Sequence, residues 1–414
     1  MTTKVMSGGA SKSTGFEQIK QIILGLQHLV AMFGATVLVP ILTGFDPSVA
    51  LVAAGCGTLI FHFCTKKKVP VFLGSSFAFI PLILTVKEMH GGDLAYAQGG
   101  IMVAGLMYVL LSLCIKTIGV EKINKFLPPH VVGPMIMVIG LNLVPVALDM
   151  ASGQYVVAGV TLAVALGVTL LAKGFTKQLS ILIGVLTGYA VAAVMGIVDT
   201  SAVSQAAVIA VPAFRMPKFS LAAIMTIAPV VIAVFMEHIG DVKTNGTVVG
   251  KDFIKDPGLN RTLLGDGLAT MFAGFIGGPA NTTYGENTGV LAITKNYDPK
   301  ILRIAAIFAI VLGMVAKLGA VLKTIPVPVM GGISLMLFSM IALVGFRTVR
   351  DNKVEMNWKN TTVMGSILIL GFGASYIQSL TGITLAIPVT ETVSISGLSF
   401  AAIVGVTLNA VLNR

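Results

Sequence analysis

Fourteen apolar runs, each about long enough to cross a bilayer, dictate which solvent this chain can fold in. They fall at 18–43, 47–64, 69–86, 97–117, 129–148, 154–172, 179–197, 219–240, 262–278, 279–294, 300–322, 326–346, 360–380 and 395–412. Roughly 17–25 predominantly apolar residues span a hydrocarbon core as a helix. Only 11% of the 414 residues are charged and 55% are hydrophobic, too little polar surface for a soluble protein of this length. The expected class is an all-α polytopic membrane protein. Strict alternation of polar and apolar residues, the mark of a membrane barrel, is missing. The opening MTTKVMSGGASKSTG has no apolar core of its own, so the first run is expected to be a retained helix and not a cleaved signal.

Charge orients the runs. If the N-terminus is cytoplasmic and successive runs alternate, 23 of the 28 Lys and Arg residues fall inside, and only Lys87, Arg215, Lys218, Lys317 and Lys323 fall outside. That asymmetry follows the positive-inside rule and predicts both termini in the cytoplasm, with the cytoplasmic (inner) membrane as the location. The net charge of +11 is accounted for in this way, with no nucleic-acid partner; the lipid bilayer is the partner the charge implies.

The chain also echoes itself at offsets near two hundred residues. Gln27-His28 is matched by Glu237-His238, GSSFAF at 74–79 by TYGENT at 283–288, and LPPHVVGP at 127–134 by IPVPVMGG at 325–332. Seven runs per copy is an odd number, so the second copy enters the membrane from the opposite side. Inverted repeats with interrupted helices near the midplane are a transporter architecture, and the interruptions point to the binding site.

Those interruptions lie in the third and tenth runs. GGPANTTYGE at 277–286 sets two glycines and Pro279 against helix formation, yet it sits between apolar segments. Irregular backbone at membrane depth must be enclosed by protein or line a cavity. A half-helix beginning near Tyr284–Glu286 would aim free N–H groups and a positive dipole end into that cavity. A second would begin after Gly74-Ser75-Ser76-Phe77, with Ser75 or Ser76 as N-cap. Ser76 and Ala78 flank Phe77 there and are counted with it as substrate-binding candidates.

Glu237 and Glu286 supply acceptors. An intramembrane carboxylate costs about 3 kcal/mol on insertion scales and marks function by default, the competing reading being a structural hydrogen bond. Asp241 shares a helical face with Glu237 one turn on, although a position near the cytoplasmic end would make it a solvated loop charge. Two carboxylates and two donor nests suit a planar, uncharged ring with alternating N–H and C=O groups. Phe77 and Tyr284 could stack on such a ring, or simply pack. Neighbouring carboxylates also compete for a proton, which makes one of them a natural proton carrier. His28 and His238 either join that network or tie helices together.

The remaining signals are weaker. Asp266 reads as a helix-start charge near the inner surface. His62, His90 and His130 read as span-end or loop residues. Cys56, Cys64 and Cys114 show no metal spacing and read as small packing residues. The N-x-T matches are expected to be chance, Asn281 being buried and Asn245 and Asn360 facing the cytoplasm. Gly184 and Gly188 fit a G-x-x-x-G packing motif, which among 46 glycines carries little information. No phosphate loop, nucleophile array or zinc motif is found, so a transporter is expected and not an enzyme.

QHLVAMFGATVLVP at 27–40, GSSFAFI at 74–80, EHIG at 237–240 and GGPANTTYGENTGV at 277–290 closely resemble the nucleobase–ascorbate transporter family, near its bacterial uracil carriers. The resemblance implies seven plus seven inverted spans, with short antiparallel strands in spans three and ten. It implies a cytoplasmic tail (1–17), a core domain (18–128 and 219–323) and a gate domain (129–218 and 324–414). Glu237 and Glu286 would hydrogen-bond uracil, the amides of Phe77 and Gly285 would hold its carbonyls, and Tyr284 would pack alongside. Elevator-type, proton-coupled import by a homodimer is implied, with no cofactor besides protons as coupling ion. Uracil carriers of the family often place a histidine where this chain has Asp241, so the role of Asp241 in coupling is open. Xanthine or another purine base is the alternative substrate. An anion exchanger of similar fold is the alternative class, disfavoured because two acidic side chains would repel an anion.

Overall fold

The computed structural model describes residues 15–119, 128–374, 377, 381, 386–388 and 394–413. Its elements are α1 (Gly15–Thr43), α2 (Pro47–Cys64), β1 (Leu73–Ser75), α3 (Ile80–Met89), α4 (Ala95–Ile118), α5 (Pro129–Ser152), α6 (Tyr155–Leu171), α7 (Ser180–Val194), α8 (Leu221–Ile227), α9 (Val231–Val249) and α10 (Leu259–Ile276). They continue as β2 (Asn281–Thr283), α11 (Gly285–Thr294), α12 (Pro299–Gly313), α13 (Ala316–Lys323), α14 (Val327–Asp351), α15 (Trp358–Gly371), β3 (Ala386–Pro388), β4 (Ser394–Ser396) and α16 (Gly397–Leu412). The protein is thus mostly helical and apolar, as composition requires.

Local chemistry sets the breaks. Asp46 caps α2 by accepting a bond from Ser48 N–H at 2.8 Å, with Pro47 in the first turn. Asp298 caps α12 in the same way ahead of Pro299. Such caps satisfy the amides that every helix start leaves open. Gly277, at φ +95°, ends α10 in the left-handed conformation, and Pro279 follows.

The element order repeats as the sequence echo predicts. The series helix, helix, strand with half-helix, then four helical segments runs from α1 to α7. It recurs from α8–α9 to α16, with α12 and α13 together matching α4. Among the described residues, six helical segments are long and apolar enough to cross a bilayer by themselves: α1, α2, α4, α5, the α8–α9 stretch and α14. A seventh forms if α12 and α13, bent by 78° at their junction, count as one. Within the described residues the other expected spans are shorter helices or strand–helix composites, so helix length alone does not yield fourteen there.

Packing divides the helices into two sets. In one, α2 and α4 pack on α10, α12 packs on α2, and α1 on α12; in the other, α14 packs on α5, α6 and α7, and α15 on α5 and α16. Gly184 and Gly188 do mediate a close approach, with Gly184 against Ala165 and Gly188 against Thr161 at the α6–α7 crossing. The β3–β4 pair, joining Ala386–Pro388 to Ser394–Ser396, was not expected.

Candidate functional site

The two interrupted stretches meet. β1 and β2 pair antiparallel, with Leu73 opposite Thr283, Gly74 opposite Thr282 and Ser75 opposite Asn281. Ser76 N–H donates to Ala280 O at 2.8 Å and Tyr284 N–H to Phe72 O at 3.0 Å, extending the ladder at both ends. Backbone groups that could not face lipid are thereby satisfied within the protein. From this ladder a 3-10 turn at Phe77–Phe79 leads into α3, and α11 begins at Gly285. The antiparallel pairing puts the two helix starts at opposite ends of the ladder, with both positive ends directed at it. Neither Ser75 nor Ser76 forms the expected side-chain cap. Ser75 Oγ instead donates to Thr36 O at 3.0 Å, and Ser76 Oγ is buried without a protein partner.

Carboxylates converge beside the ladder. Glu237 and Asp241 lie one turn apart on α9, and Asp241 Oδ2 accepts a bond from Thr283 Oγ1 at 2.9 Å. The helix runs on to Val249, past the run read from hydropathy, so Asp241 is a half-buried site residue and not a loop charge. Asn245, on the same helix, is fully buried with its amide on Pro70 O and Thr288 Oγ1, and does not face the cytoplasm. Glu286 lies in the first turn of α11, half-buried, with its carboxylate turned to its own backbone N–H. Glu237 is within electrostatic reach of both Glu286 and Asp266.

Asp266 corrects the sequence reading most sharply. It is not a surface charge but a fully buried residue of α10, with Oδ2 3.2 Å from His238 Nδ1. His238 Nε2 lies 3.0 Å from Thr262 Oγ1. His238 therefore ties α9 to α10, and His28 does the same for α1 and α11: Asn287 Nδ2 donates to His28 O at 3.0 Å and lies 3.1 Å from its Nδ1. A carboxylate within an apolar run was the signal that should have singled out Asp266. Asn287, inside the GENTG segment, carried no comparable signal.

Tyr284 is also placed differently from a stacking partner. It is 4% exposed, its ring occupies the space where a Cβ on Gly74 would stand, and its hydroxyl donates to Ser75 O at 2.9 Å. It braces the ladder from behind. Phe77, half-buried, and Ala78 instead line a cavity with Glu237 and Ala233 of α9 and with Ile136, Ile139, Ile341 and Val344 of α5 and α14. The apolar wall from α5 and α14 had no sequence signature. Gly285 is exposed at the start of α11. Among the described residues no group of three or more His, Cys, Asp and Glu side chains is arranged to hold a metal ion.

Comparison with known proteins agrees with this architecture. The Permease family of xanthine and uracil carriers matches residues 19–380. The chain is 41% identical over 407 residues to a probable uracil permease of Haemophilus influenzae, covering 96% of this chain and 95% of that one. It is 43% identical over 407 residues to the uracil permease of Bacillus caldolyticus, covering 94% and 91%. The solved structure of SLC26A9 superposes with a TM-score of 0.69 at 11% identity, a likeness of fold alone. That superposition covers 96% of this chain, which spans 65% of the SLC26A9 chain.

Proposed function

The chain belongs to the nucleobase–ascorbate transporter family, and we propose that it imports uracil across the cytoplasmic membrane by proton symport. The observation that carries the reading is the cavity itself. An aromatic residue at a helix start, Phe77, and an intramembrane carboxylate, Glu237, line one space, and Glu286 stands within electrostatic reach of Glu237. In this reading Glu237 and Glu286 accept the ring N–H groups of uracil, and the amides of Phe77 and Gly285 donate to its carbonyls. Charge-assisted bonds of this kind contribute about 1.5–3 kcal/mol each. Ser76 and Ala78 shape the same edge, while Tyr284 holds the ladder in register and does not touch the ring. Uracil permeases at about 40% identity over nearly the whole chain favour this base.

Proton coupling is assigned to Glu237, with Asp241 as the second acid on its face and the ties of His28 and His238 holding the carboxylate-bearing helices. The two packing sets become core (18–128 and 219–323) and gate (129–218 and 324–414), and the cavity at their seam suits alternate access by an elevator-like displacement of the core. Fourteen crossings, cytoplasmic termini and a homodimer complete the proposal, and no cofactor is invoked besides the proton.

The test is competition in reconstituted vesicles. Unlabelled uracil, thymine, xanthine, hypoxanthine and sulfate are each added against labelled uracil under an imposed proton gradient. Uracil is expected to compete best and sulfate not at all. Preferential inhibition by xanthine or hypoxanthine would replace the substrate, and inhibition by sulfate would replace the class.

A further inference from the structure

A second cavity lies away from the carboxylates, where α1, α7 and α13 come together. It holds about 210 Å³ and is lined by Phe33, Val37, Leu182, Leu186, Val321 and their apolar neighbours. The one side-chain polar atom in the lining, the Tyr189 hydroxyl, is engaged with Thr324 Oγ1 at 2.9 Å. Apolar cavities of this size stay dry and take apolar ligands, because an empty one forfeits dispersion contacts along its wall. The rim is open to the outside of the protein: Leu186 is 59% exposed and Val321 40%.

The surrounding helices explain why hydrocarbon should enter here. α7, which forms one wall, has 15 residues, about 22 Å at helical rise, against a hydrocarbon core of about 30 Å. α12 then turns by 78° into α13. Local thinning is one way a bilayer accommodates so short a helix as α7, and it brings lipid against the groove. At the rim stands a cation: Lys317, exposed, sits one turn before Val321 on the same face of α13 and makes no ion pair among the described residues. Its neighbour Lys323 is already bound to Asp46 at 2.8 Å.

We propose that this groove holds an acyl chain of an anionic membrane phospholipid, with its negatively charged headgroup reached by Lys317. The chain lies between α1 and α13 on one side and α7 on the other, so it fills the seam between the two helix sets. The inference does not depend on which solute is carried, and its failure would leave the uracil reading untouched.

Fluorescence quenching tests it. The chain has a single tryptophan, Trp358, so Trp358→Phe gives a silent background. Tyr189→Trp then places a probe in the groove wall, Leu318→Trp serves as a second probe should the first misfold, and Leu170→Trp, at a residue 75% exposed, reports open lipid. Each is reconstituted with phospholipid brominated on its acyl chains. The groove probe is expected to be quenched at least half as strongly as the open one, and more strongly by brominated phosphatidylglycerol than by brominated phosphatidylcholine. Lys317→Glu is expected to abolish that headgroup preference. An unquenched groove probe beside a quenched control would overturn the proposal. So would disulfide formation between copies through Leu186→Cys, which would mean that a second subunit covers the groove. Equal quenching by the two lipids in the protein with Lys317 intact would overturn the pairing of Lys317 with an anionic headgroup.

Discussion

Glu237 and His238 are adjacent in sequence but face different tasks. Glu237 lines the cavity, whereas His238 turns to Asp266 and Thr262 on the neighbouring helix. Removing one member of a buried polar pair leaves the other without compensation, a cost of about 1–3 kcal/mol. Asp266→Leu is therefore expected to lower the thermal midpoint of the purified protein by several degrees, while Asp266→Asn, which keeps a polar partner for His238, lowers it less. Equal midpoints for the two variants in detergent would show that the pair is not a structural tie. Glu237→Gln tests coupling instead of folding. It is expected to bind no proton at that position and so to lose uracil accumulation driven by a pH gradient. Undiminished gradient-driven uptake in vesicles would remove Glu237 from the proton path.

Among the elements, the strand pair decides where everything else stands. Two three-residue strands cannot persist alone, and this ladder is braced by Tyr284 lying over Gly74 and by Thr283 bonded to Asp241. Gly74→Ala would drive a methyl group into the Tyr284 ring, and overpacking of this kind typically costs about 1–3 kcal/mol. Uracil uptake is expected to fall sharply in Gly74→Ala and to recover partly when Tyr284→Leu is added. Tyr284→Phe, which keeps the ring and loses the hydroxyl's bond to Ser75 O and its contact with Thr36, should cost about 1 kcal/mol and leave affinity within a few fold. An unaltered Gly74→Ala protein would contradict the bracing. The break at Gly277–Pro279, the half-helix beyond it and the partner break at Gly74 were all legible in the sequence, because glycine and proline are the strongest local interrupters of a helical run. The orientation of Tyr284 and the burial of Asp266 were not. Hydropathy reports that a residue lies in an apolar stretch, but not which neighbour it faces, and the neighbours here are remote in the chain. The continuation of α9 to Val249 was missed for a related reason: its polar residues, among them Asp241 and Asn245, resemble a loop until their buried partners are known.

For the whole molecule, elevator-like transport requires the two helix sets to move against each other around the cavity. One contact crosses between them near α11: Gln178, between α6 and α7, rests on Gly289, where an added Cβ would lie 2.5 Å from its Nε2. With Cys56, Cys64 and Cys114 replaced by Ser, the pair Gln178→Cys and Gly289→Cys is expected to form a disulfide that stops uracil uptake, and reductant should restore it. Full uptake by the cross-linked protein would exclude relative motion at that contact. At the cavity itself, Glu286 at the start of α11 and its partners are proposed to grip a neutral heterocycle. Equilibrium binding of uracil to the purified protein and to Glu286→Gln, matched for thermal midpoint, tests it most directly. Saturable binding by the parent, and binding at least roughly tenfold weaker in the variant, is the predicted result, since one charge-assisted bond is lost and an amide donor faces a ring N–H. Equal affinity in the two proteins would contradict it.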